Sequence, residues 1–460
     1  MKDAQHTVTT PHNHPKQQRS HNRALRSRFE QIPILLDLLR WLPIAAAVGV
    51  LAGSASAVLL LSLEWATQLR GQHLWLVALL PFAGLAVGLL YWYVGSSVEA
   101  GNNLILEEVH DPNETIPLRM TPLVLLGTIV THIFGGSAGR EGTAIQTGAS
   151  LADQLSGPLR LKRRDRRILL MMGISAGFAS VFGTPLAGAI FGIEVLTLGA
   201  VAYDAIAPCV VAAFLAEMVT RAWGVHHTVY TVTEVPAMSV RGLLAAMAAG
   251  AAFGLMAMLF AKTTHAIKHL GQRLIPWAPV RPFVGGALVA GIVFSIGTAH
   301  TARFLGLGVP EIVAAFHQTL PPYDFAVKSF LTSLTLGTGF KGGEVTPLFF
   351  IGATMGNSLA HILPLPASLL AGMGFVAVFA GAANTPIAST LMAVELFGAE
   401  VGAFAGIASI LSYLFSGHSG IYTAQRVGRT KHRSKATEEG MSLAVVAKLR
   451  SEPKRELVKR

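Results

Sequence analysis

The chain carries the stretch GGSAGREGT at residues 135–143 and a related stretch, GTGFKGGEVT, at residues 337–346. Each stretch leads from glycines through a Glu-x-Thr sequence into an apolar segment. Two further stretches correspond to each other, TPLAGAIFGIE at residues 184–194 and TPIASTLMAVE at residues 385–395. Both pairs are separated by roughly 200 residues, which is the signature of an internal repeat, so the sequence predicts a fold of two related halves.

The composition indicates a membrane protein. Of the 460 residues, 52% are hydrophobic and 13% are charged, and this charged share is roughly half that of an average soluble domain. A helix that crosses a bilayer needs about 20 mainly apolar residues. Windows of this kind recur at residues 41–63, 74–95, 122–134, 168–180, 185–222, 241–262, 281–300, 345–362, 367–381 and 387–415. We therefore predict an all-α membrane protein.

Several of these windows are too short to cross a bilayer alone. The windows 122–134, 168–180 and 367–381 end at clusters of Gly, Thr and Pro rather than at charged loops. Irregular backbone at membrane depth persists only where protein buries it or where it lines a cavity. Interrupted segments at matching places in two related halves are therefore typical of a transporter's binding site.

The net charge of +11 is concentrated outside the apolar windows. Basic residues are abundant in residues 1–28, in the loop 160–167 and after Gln425, and the positive-inside rule places such regions in the cytoplasm. A pI near 9.9 also suggests nucleic-acid binding, but no basic patch alternates with aromatic residues, so we expect no nucleic-acid partner. The single cysteine, Cys209, excludes a disulfide and a cysteine-based metal site, and we expect no metal or cofactor.

These patterns predict five regions. Residues 1–32 form a basic cytoplasmic N-terminal tail, 33–222 the first membrane repeat, 223–240 a linker, 241–425 the second membrane repeat and 426–460 a basic cytoplasmic C-terminal tail. If the repeats are inverted, their glycine-framed helix starts approach each other near the bilayer centre. The residue pattern by itself is also compatible with parallel repeats.

The two glycine-framed glutamates are the strongest candidates for a functional site. A helix N-terminus has unpaired N–H groups and a partial positive charge, so two such ends facing one cavity bind an anion without Lys or Arg. Glu141 either occupies the anion site with its own carboxylate and leaves it on protonation, or merely caps its helix. Ionisable groups inside membranes are costly and usually functional, which favours gating and proton coupling by Glu141 and Glu344. Thr143 and Thr346 either donate a hydroxyl to the ion or cap the helices.

Further polar residues in apolar surroundings have two interpretations each. Asn102 and Asn103 open a predicted helix, where Asn is a favoured N-cap, and their amides also suit an anion. Tyr422 lies just before the basic C-terminal region and is either an interfacial anchor or an anion ligand. Glu194 and Glu395 occupy matching positions of the two repeats, for which a structural role is favoured over a proton relay.

Two other groups are interpreted without a chemical role. His132 has no nucleophilic partner at a useful spacing, so we predict a satisfied interior histidine. Lys341 is followed by Gly342 rather than Ser or Thr, so it does not complete a phosphate-binding loop. Facing spans carry no Ser/His or paired-Asp constellation, and we therefore predict that the protein is not an enzyme.

The motifs resemble the CLC family of chloride channels and proton-coupled anion antiporters, over residues 40–425. GREG at 139–142 is similar to the family's gating-glutamate motif, and GFASVFGTPLAG at 177–188 is similar to the segment that follows it. The resemblance implies a CLC-type fold with two inverted-topology repeats of tilted and broken helices. It also implies an anion-coordinating role for Tyr422, and a homodimer in which each subunit has its own pore.

The sequence departs from chloride-selective members of this family. Asn102 and Asn103 stand in place of their Gly-Ser-Gly-x-Pro motif, Glu344 lies within the equivalent of their Gly-x-Phe-x-Pro motif, and Thr143 stands where Pro is commoner. These departures resemble the family's fluoride/proton antiporter clade, in which a Glu and a Thr of the second half line the fluoride path. The inner proton-transfer glutamate of many chloride/proton antiporters falls at Val195, so their inner proton route is in doubt here.

We therefore predict a fluoride/proton antiporter of the cell membrane, or of the inner membrane in a Gram-negative source, that exports fluoride in exchange for protons. A chloride channel or chloride/proton antiporter is the alternative. Fluoride is a small, strong hydrogen-bond acceptor, so replacing its water shell requires dense donors. The predicted anion-binding residues are Asn102, Asn103, Gly142, Thr143, Val345, Thr346 and Tyr422.

Overall fold

The computed structural model describes residues 31–451, whose regular structure is helical apart from two short strands. The α-helices are α1 (Gln31–Gln72), α2 (Leu80–Tyr93), α3 (Asn102–His110), α4 (Met120–Ile133), α5 (Glu141–Asp153), α6 (Arg163–Phe182), α7 (Pro185–Glu194), α8 (Ile206–Ala222), α9 (Val240–Leu274), α10 (Val280–Ile296), α11 (Thr298–Thr301), α12 (Val309–His317), α13 (Asp324–Gly337), α14 (Val345–Leu359), α15 (Ala367–Ala383), α16 (Pro386–Phe397), α17 (Ala399–Phe415) and α18 (Leu443–Ser451). The strands β1 (Thr197–Leu198) and β2 (Arg426–Val427) pair in parallel. Residues up to Ile44 form a unit of their own, so the packing below concerns Ala45 onwards.

The helices recur in the same order in the two halves. Helices α1–α8 correspond to α9, α10 and α12–α17, each roughly 200 residues later, and the four-residue α11 has no counterpart. Pro185 and Pro386 are the first residues of the corresponding helices α7 and α16, where proline's fixed φ and missing N–H are tolerated. The internal repeat predicted from the sequence is confirmed. Between α8 and α9, residues 223–239 contain neither helix nor strand.

Two glutamates show how the halves are related. Glu194, the last residue of α7, accepts hydrogen bonds at 3.0 and 2.8 Å from two backbone N–H groups in the first turn of α16. Glu395, near the end of α16, accepts bonds at 2.9 and 2.8 Å from two N–H groups in the first turn of α7. Each carboxylate caps the other helix, where unpaired N–H groups favour an anion. Helices α7 and α16 are therefore antiparallel, as inverted repeats require, and both glutamates have a structural contact.

Two of the long apolar windows each contain two helices, and the hydropathy of the sequence did not reveal the break between them. Window 185–222 holds both α7 and α8, and window 387–415 holds most of α16 and all of α17. The second break is at Gly398, whose φ of +98° is accessible to glycine but disfavoured for residues with a side chain.

Close helix crossings repeat in the two halves. Helix α5 crosses α6 where a side chain on Gly148 would collide with the carbonyl oxygen of Gly173, and α14 crosses α15 where one on Gly352 would collide with that of Gly374. Small residues allow such close approach between helices in a membrane. The matching crossings hold α5 and α14 rigidly, which matters because both glycine-framed glutamates lie at the starts of these helices.

Within residues 31–451, four helical segments are long and apolar enough to cross a bilayer: Gln31–Gln72, Leu74–Tyr93, Tyr203–Ala222 and Val240–Leu274. A fifth, α10 with Thr298–Phe304, is bent by 115° at its break. Helices α4, α7, α15, α16 and α17 are apolar but shorter. The protein is thus a membrane protein that combines full spans with short and broken helices, as predicted.

The region predicted as a C-terminal tail is folded as far as Ser451. Strand β2 pairs with β1, and the ammonium group of Lys431 donates hydrogen bonds of 2.6 Å to the side-chain oxygen of Asn384 and to the carbonyl oxygen of Tyr413. These acceptors lie at the ends of α15 and α17, where the helix dipole favours a cation. Basic residues of this region therefore contribute to the packing of the fold as well as to its positive charge.

Candidate functional site

The two glycine-framed stretches lie side by side. Gly139 donates its N–H to the carbonyl oxygen of Gly343 at 2.6 Å and accepts the N–H of Gly343 at 2.8 Å, in an antiparallel bridge. A Cβ on Gly343 would lie 2.6 Å from the backbone nitrogen of Gly142, so only glycine allows this approach. The bridge places the starts of α5 and α14 next to each other.

His132 supports the first stretch from within α4. The residue is fully buried, and its two ring nitrogens lie 2.8 Å from the carbonyl oxygen of Thr128 and 3.1 Å from that of Ala138. Ala138 directly precedes the bridging Gly139. The prediction of a satisfied interior histidine is confirmed.

Glu141 is the first residue of α5 and is fully buried. Its Oε2 accepts hydrogen bonds from the backbone N–H groups of Thr346 at 3.0 Å and Arg140 at 3.1 Å, and its Oε1 accepts one from the Thr346 hydroxyl. The Arg140 Nε lies 3.6 Å from Oε1. The carboxylate therefore lies at the N-terminus of α14, a helix of the other half, where exposed N–H groups favour an anion.

The start of α14 supplies the other second-half candidates. Glu344 is the N-cap residue, but its side chain makes no capping hydrogen bond, and Val345 is the buried first residue of the helix. The Oε2 atom of Glu344 is buried and has no hydrogen-bond partner within the described range. Thr346 is bonded to Glu141, so its hydroxyl does not cap α14 either.

The two asparagines at the start of α3 have different surroundings. Gly101 is the N-cap residue and no side chain caps α3, so the N-cap interpretation of Asn102 and Asn103 is wrong. Asn102 is 8% exposed, its amide nitrogen would lie 3.1 Å from a Cβ on Gly142, and its Oδ1 is buried without a partner among residues 31–451. Asn103 instead accepts a 2.9 Å bond from the N–H of Ala424.

Tyr422 and Thr143 complete the predicted set. Tyr422 is 2% exposed, its buried hydroxyl has no partner in the described part of the chain, and the charges of Glu344 and Glu141 act on it. The hydroxyl of Thr143 lies 2.6 Å from that of Thr128 on α4, so it does not face the site in this conformation. Tyr422 is thus not an exposed interfacial anchor.

Four buried polar atoms at or near the paired helix starts lack a hydrogen-bond partner among residues 31–451: Asn102 Oδ1, Arg140 Nε, Glu344 Oε2 and Tyr422 OH. Buried polar groups are normally hydrogen-bonded, and leaving one unpaired costs about 1–3 kcal/mol. Among the four, the Tyr422 hydroxyl and the Arg140 Nε–H group can donate to an anion, whereas Asn102 Oδ1 and an ionised Glu344 Oε2 accept hydrogen bonds and suit water or a proton donor. Thr128 and Gln146 also lie near these helix starts, with the Gln146 side-chain amide beside Gly101, but neither residue could be predicted because neither belongs to a glycine-framed motif.

Residues 83–417 match the model of the voltage gated chloride channel family. The chain belongs to the CLC family. This CLC protein is 56% identical over 415 residues to a protein named chloride/fluoride channel protein from Pseudomonas syringae pv. tomato, with 90% of the chain and 92% of the relative covered. It is 25% identical over 381 residues to the H(+)/Cl(-) exchange transporter ClcA of Vibrio vulnificus, covering 77% of the chain and 81% of that protein.

Solved structures agree with this assignment of fold. The CLC protein resembles the crystal structure of a CLC-type fluoride/proton antiporter with a TM-score of 0.82 and 33% identity, over 85% of this chain and 99% of that one. A slow cyanobacterial Cl-/H+ antiporter has the same fold, with a TM-score of 0.72 and 19% identity, over 90% of this chain and 98% of that one. The predicted CLC-type fold is confirmed.

Proposed function

We propose that the protein is a fluoride/proton antiporter that exports fluoride across the cell membrane in exchange for protons, with Glu141 as the gating and proton-coupling carboxylate. The contact that carries this proposal is the one between the Glu141 carboxylate and the N-terminus of α14. The names of a 56% identical relative and of a 33% identical structural neighbour support fluoride as the anion. The relatives named above are channels and exchangers, and we propose no enzymatic activity.

The mechanism follows from competition for one helix end. As a carboxylate, Glu141 occupies the position where an anion would accept the Thr346 N–H and hydroxyl bonds. Protonation removes its negative charge, which weakens these charge-assisted bonds and releases the side chain. Fluoride then takes the vacated position, so anion entry requires a proton on Glu141. Inward proton flow in this scheme drives fluoride outward.

The donors near this helix end suit fluoride. Thr346 and Tyr422 carry hydroxyls, Asn102 carries an amide, and Glu344 becomes a donor when it holds a proton. Oxygen and nitrogen donors of this density compensate for the hydration shell that a small anion loses. Val345 and Gly142 contribute backbone N–H groups from the starts of α14 and α5. Asn103 and Thr143 have other partners in this conformation, and their contact with fluoride stays a prediction.

The proposed proton route depends on Glu141 itself. The position of the inner glutamate of many relatives is occupied by Val195, which is buried and cannot bind a proton. Its neighbour Glu194 caps α16. A mobile Glu141 side chain therefore carries the proton through the site, with Glu344 as the second carboxyl along the path.

The test is flux in liposomes that contain the purified protein. We expect wild-type fluoride efflux at least roughly tenfold faster than chloride efflux, with proton uptake in a fixed ratio; a tenfold ratio corresponds to about 1.4 kcal/mol of discrimination. The variant Glu141→Gln carries a permanently neutral side chain, so its fluoride movement loses proton coupling. Equal chloride and fluoride fluxes in wild type would favour the chloride alternative, and coupling that survives Glu141→Gln would remove the gate assignment.

Orientation and assembly complete the proposal. Both termini and the loop 160–167 lie in the cytoplasm, and two subunits form a homodimer with one pore each. The repeat boundaries are those set by the sequence, 33–222 and 241–425, with 223–240 as the linker between them. Residues 1–30 and 452–460, which include most of the predicted N-terminal tail, lie outside the described residues.

A further inference from the structure

The segment that carries Tyr422 has no regular structure of its own. This tyrosine segment, residues 416–425 between α17 and β2, contains neither helix nor strand, so other parts of the chain must fix its position. The buried side chain of Asn384, which follows α15, donates hydrogen bonds of 3.1 Å to the carbonyl oxygen of Ser419 and to the side-chain oxygen of Gln425. These two acceptors flank Tyr422 in the sequence. Asn384 therefore ties both sides of the tyrosine to the end of one helix.

The region after β2 also holds the tyrosine segment. Lys431, whose ammonium group bonds to Asn384, donates a further hydrogen bond of 3.1 Å to the hydroxyl of Ser416 at the start of the segment. Near the other end of the segment, the backbone N–H of Ala444 in α18 donates a 3.0 Å bond to the carbonyl oxygen of Thr423. The position of the tyrosine therefore depends on how the region after β2 is docked.

One imidazole joins the tyrosine segment to this docked region. The Nδ1 atom of His418 lies 2.5 Å from Oε2 of Glu438, and its Nε2 lies 3.1 Å from the backbone nitrogen of Lys431. Arg450 donates bonds of 3.0 and 2.7 Å to the two oxygens of Glu438, which favours an ionised carboxylate that only accepts. The Lys431 N–H only donates. Nδ1 therefore carries the proton of a neutral ring, and Nε2 is an acceptor.

A second proton on the His418 ring is incompatible with these contacts. An imidazolium has an N–H group on both nitrogens, so the new proton on Nε2 would point at the N–H of Lys431. The ring has no exposed surface while the bond to Lys431 is made, but Glu438 and Arg450 beside it are 10% and 39% exposed. The cluster therefore lies at the protein surface, and the ring takes up a proton when its bond to Lys431 opens.

The surroundings favour the neutral ring in the closed form, in which the bond to Lys431 is made. Burial lowers the pKa of His418 below its ordinary value; Glu438 opposes this effect, and the charges of Lys431 and Arg450 add to it. The other titratable or charged groups close to the ring are His432, whose ring stacks on it at 5.6 Å, and Lys435, which lies 3.9 Å from Glu438. A ring released into water regains a pKa near 6.5. Because the open form binds protons more readily, each pH unit below about 6.5 shifts the balance towards opening by up to about tenfold.

We propose that His418 is a positioning residue through which acid in the cytoplasm loosens Tyr422 and slows anion exchange; this inference rests on the proposed fluoride/proton exchange. At neutral pH the ring holds Lys431, and Lys431 and Asn384 hold the tyrosine segment. When a hydronium ion gives its proton to Nε2, an imidazolium and water form, the ring leaves Lys431, and the Tyr422 hydroxyl is no longer held at the anion site. The proposed exchange carries protons into the cytoplasm, so this contact limits exchange once the cytoplasm becomes acidic.

The experiment measures fluoride/proton exchange in proteoliposomes with the same pH on both sides, at about pH 7.5 and about pH 5.5, driven by a fluoride gradient alone. His418→Gln retains a donor and an acceptor but does not titrate, so its ratio of the rate at low pH to the rate at high pH is expected to be roughly tenfold higher than that of wild type. The response of Glu141 to pH is common to both proteins and cancels in this comparison. The matched control is His432→Gln, which removes the stacked neighbouring ring and is expected to keep the wild-type ratio.

Hydrogen–deuterium exchange of the full chain in detergent tests the same contact without transport. After correction for intrinsic exchange rates, amides of the tyrosine segment are expected to lose protection at least roughly tenfold from the higher to the lower pH in wild type, and to keep it in His418→Gln. Equal rate ratios or equal protection in these two proteins overturn the proposal, as does a His432→Gln variant that behaves like His418→Gln. If wild type shows no coupled exchange, the proposed function fails, and the protection measurement still decides the role of His418.

Discussion

Asn102 and Asn103 are adjacent in the sequence and are the same residue type, but their side chains make different contacts in the structure. The positive φ of Gly101 turns the backbone into α3 and replaces an asparagine cap. Asn102 consequently lies against the start of α5 with a buried, unpaired oxygen, while Asn103 ties α3 to the segment that carries Tyr422. The different contacts of Asn102 and Asn103 could not be predicted from the sequence, because they depend on the backbone conformation at Gly101.

We predict that Asn102→Ala and Asn103→Ala separate binding from stability. A hydrogen bond to a charged group contributes about 1.5–3 kcal/mol, so Asn102→Ala is expected to weaken fluoride binding roughly ten- to hundredfold. Asn103→Ala leaves the Ala424 N–H unpaired and is expected to lower stability by about 1–2 kcal/mol, with a smaller effect on affinity. Titration calorimetry with fluoride and thermal unfolding in detergent measure the two effects. Equal affinities in both variants would contradict the assignment of Asn102.

The glutamates at the paired helix starts illustrate what residue patterns predict well. Glycines before Glu141 and Glu344 indicated two helix starts that approach closely, and the structure places them side by side. The pattern did not reveal that Glu141 bonds to the helix of the opposite half, because that contact joins residues 205 positions apart. Nor did it reveal the pairing of Thr143 with Thr128, since Thr128 lies in an ordinary apolar helix.

At the scale of helices, the exchanged caps of α7 and α16 join the two halves through charged hydrogen bonds, as the contact of Glu141 with α14 also does. A carboxylate at a helix N-terminus satisfies N–H groups that are otherwise unpaired, and loss of such a cap costs about 0.5–2 kcal/mol. Glu194 is only 5% exposed, so its replacement also disturbs the packing of a buried site. The sequence analysis found both glutamates through the repeat and favoured a structural role, but their partners required the three-dimensional arrangement.

We predict that Glu194→Gln and Glu395→Gln each lower thermal stability by about 1 kcal/mol while fluoride/proton exchange is retained. The two caps belong to one helix pair, so the double variant is expected to deviate from the sum of the single effects. Glu400→Gln, in the exposed first turn of α17, is the matched control and is expected to stay within about 0.5 kcal/mol of wild type. Loss of proton coupling in Glu194→Gln, with unchanged stability, would instead support a proton-relay role.

At the scale of the whole molecule, the length of helix α6 can be compared with the thickness of a bilayer. It has 20 residues and is about 30 Å long, which equals the thickness of the hydrocarbon core. The basic loop 160–167 lies at its start, and Gly183, against which His227 packs, lies just past its end. The basic loop and a cavity of about 440 Å³ that Arg140 and His227 line therefore lie near opposite ends of α6, and we expect them to belong to opposite faces of the membrane.

We predict that single cysteines on these two faces react from opposite sides. Val229 is 80% exposed and the Arg164 side chain is 81% exposed, so Val229→Cys and Arg164→Cys form a matched pair. The native Cys209 is buried and is replaced by Ala in both. A membrane-impermeant maleimide added to intact cells is expected to label Val229→Cys, and to label Arg164→Cys only after permeabilisation. The reverse pattern would invert the proposed orientation, and labelling of both from one side would contradict the span.

For the molecule as a whole, composition and repeats predicted the membrane class and the two-half architecture, because apolar length and motif spacing are properties of the chain itself. The folded region after Gln425 was not predicted, since its basic composition resembles that of a tail and its half-buried Lys431 is stabilised by the ends of two earlier helices. The cavity beside Arg140 was also missed, because its wall is assembled from four separate parts of the chain.

The exchanged glutamate caps also constrain the order of events during synthesis. The partners of Glu194 lie 193 and 194 residues further along the chain, and at 5–20 residues per second they leave the ribosome roughly 10–40 seconds later. Throughout this interval, the first half has a carboxylate without its helix and a helix without its cap. The first half therefore completes this pair of contacts only after α16 has been synthesised.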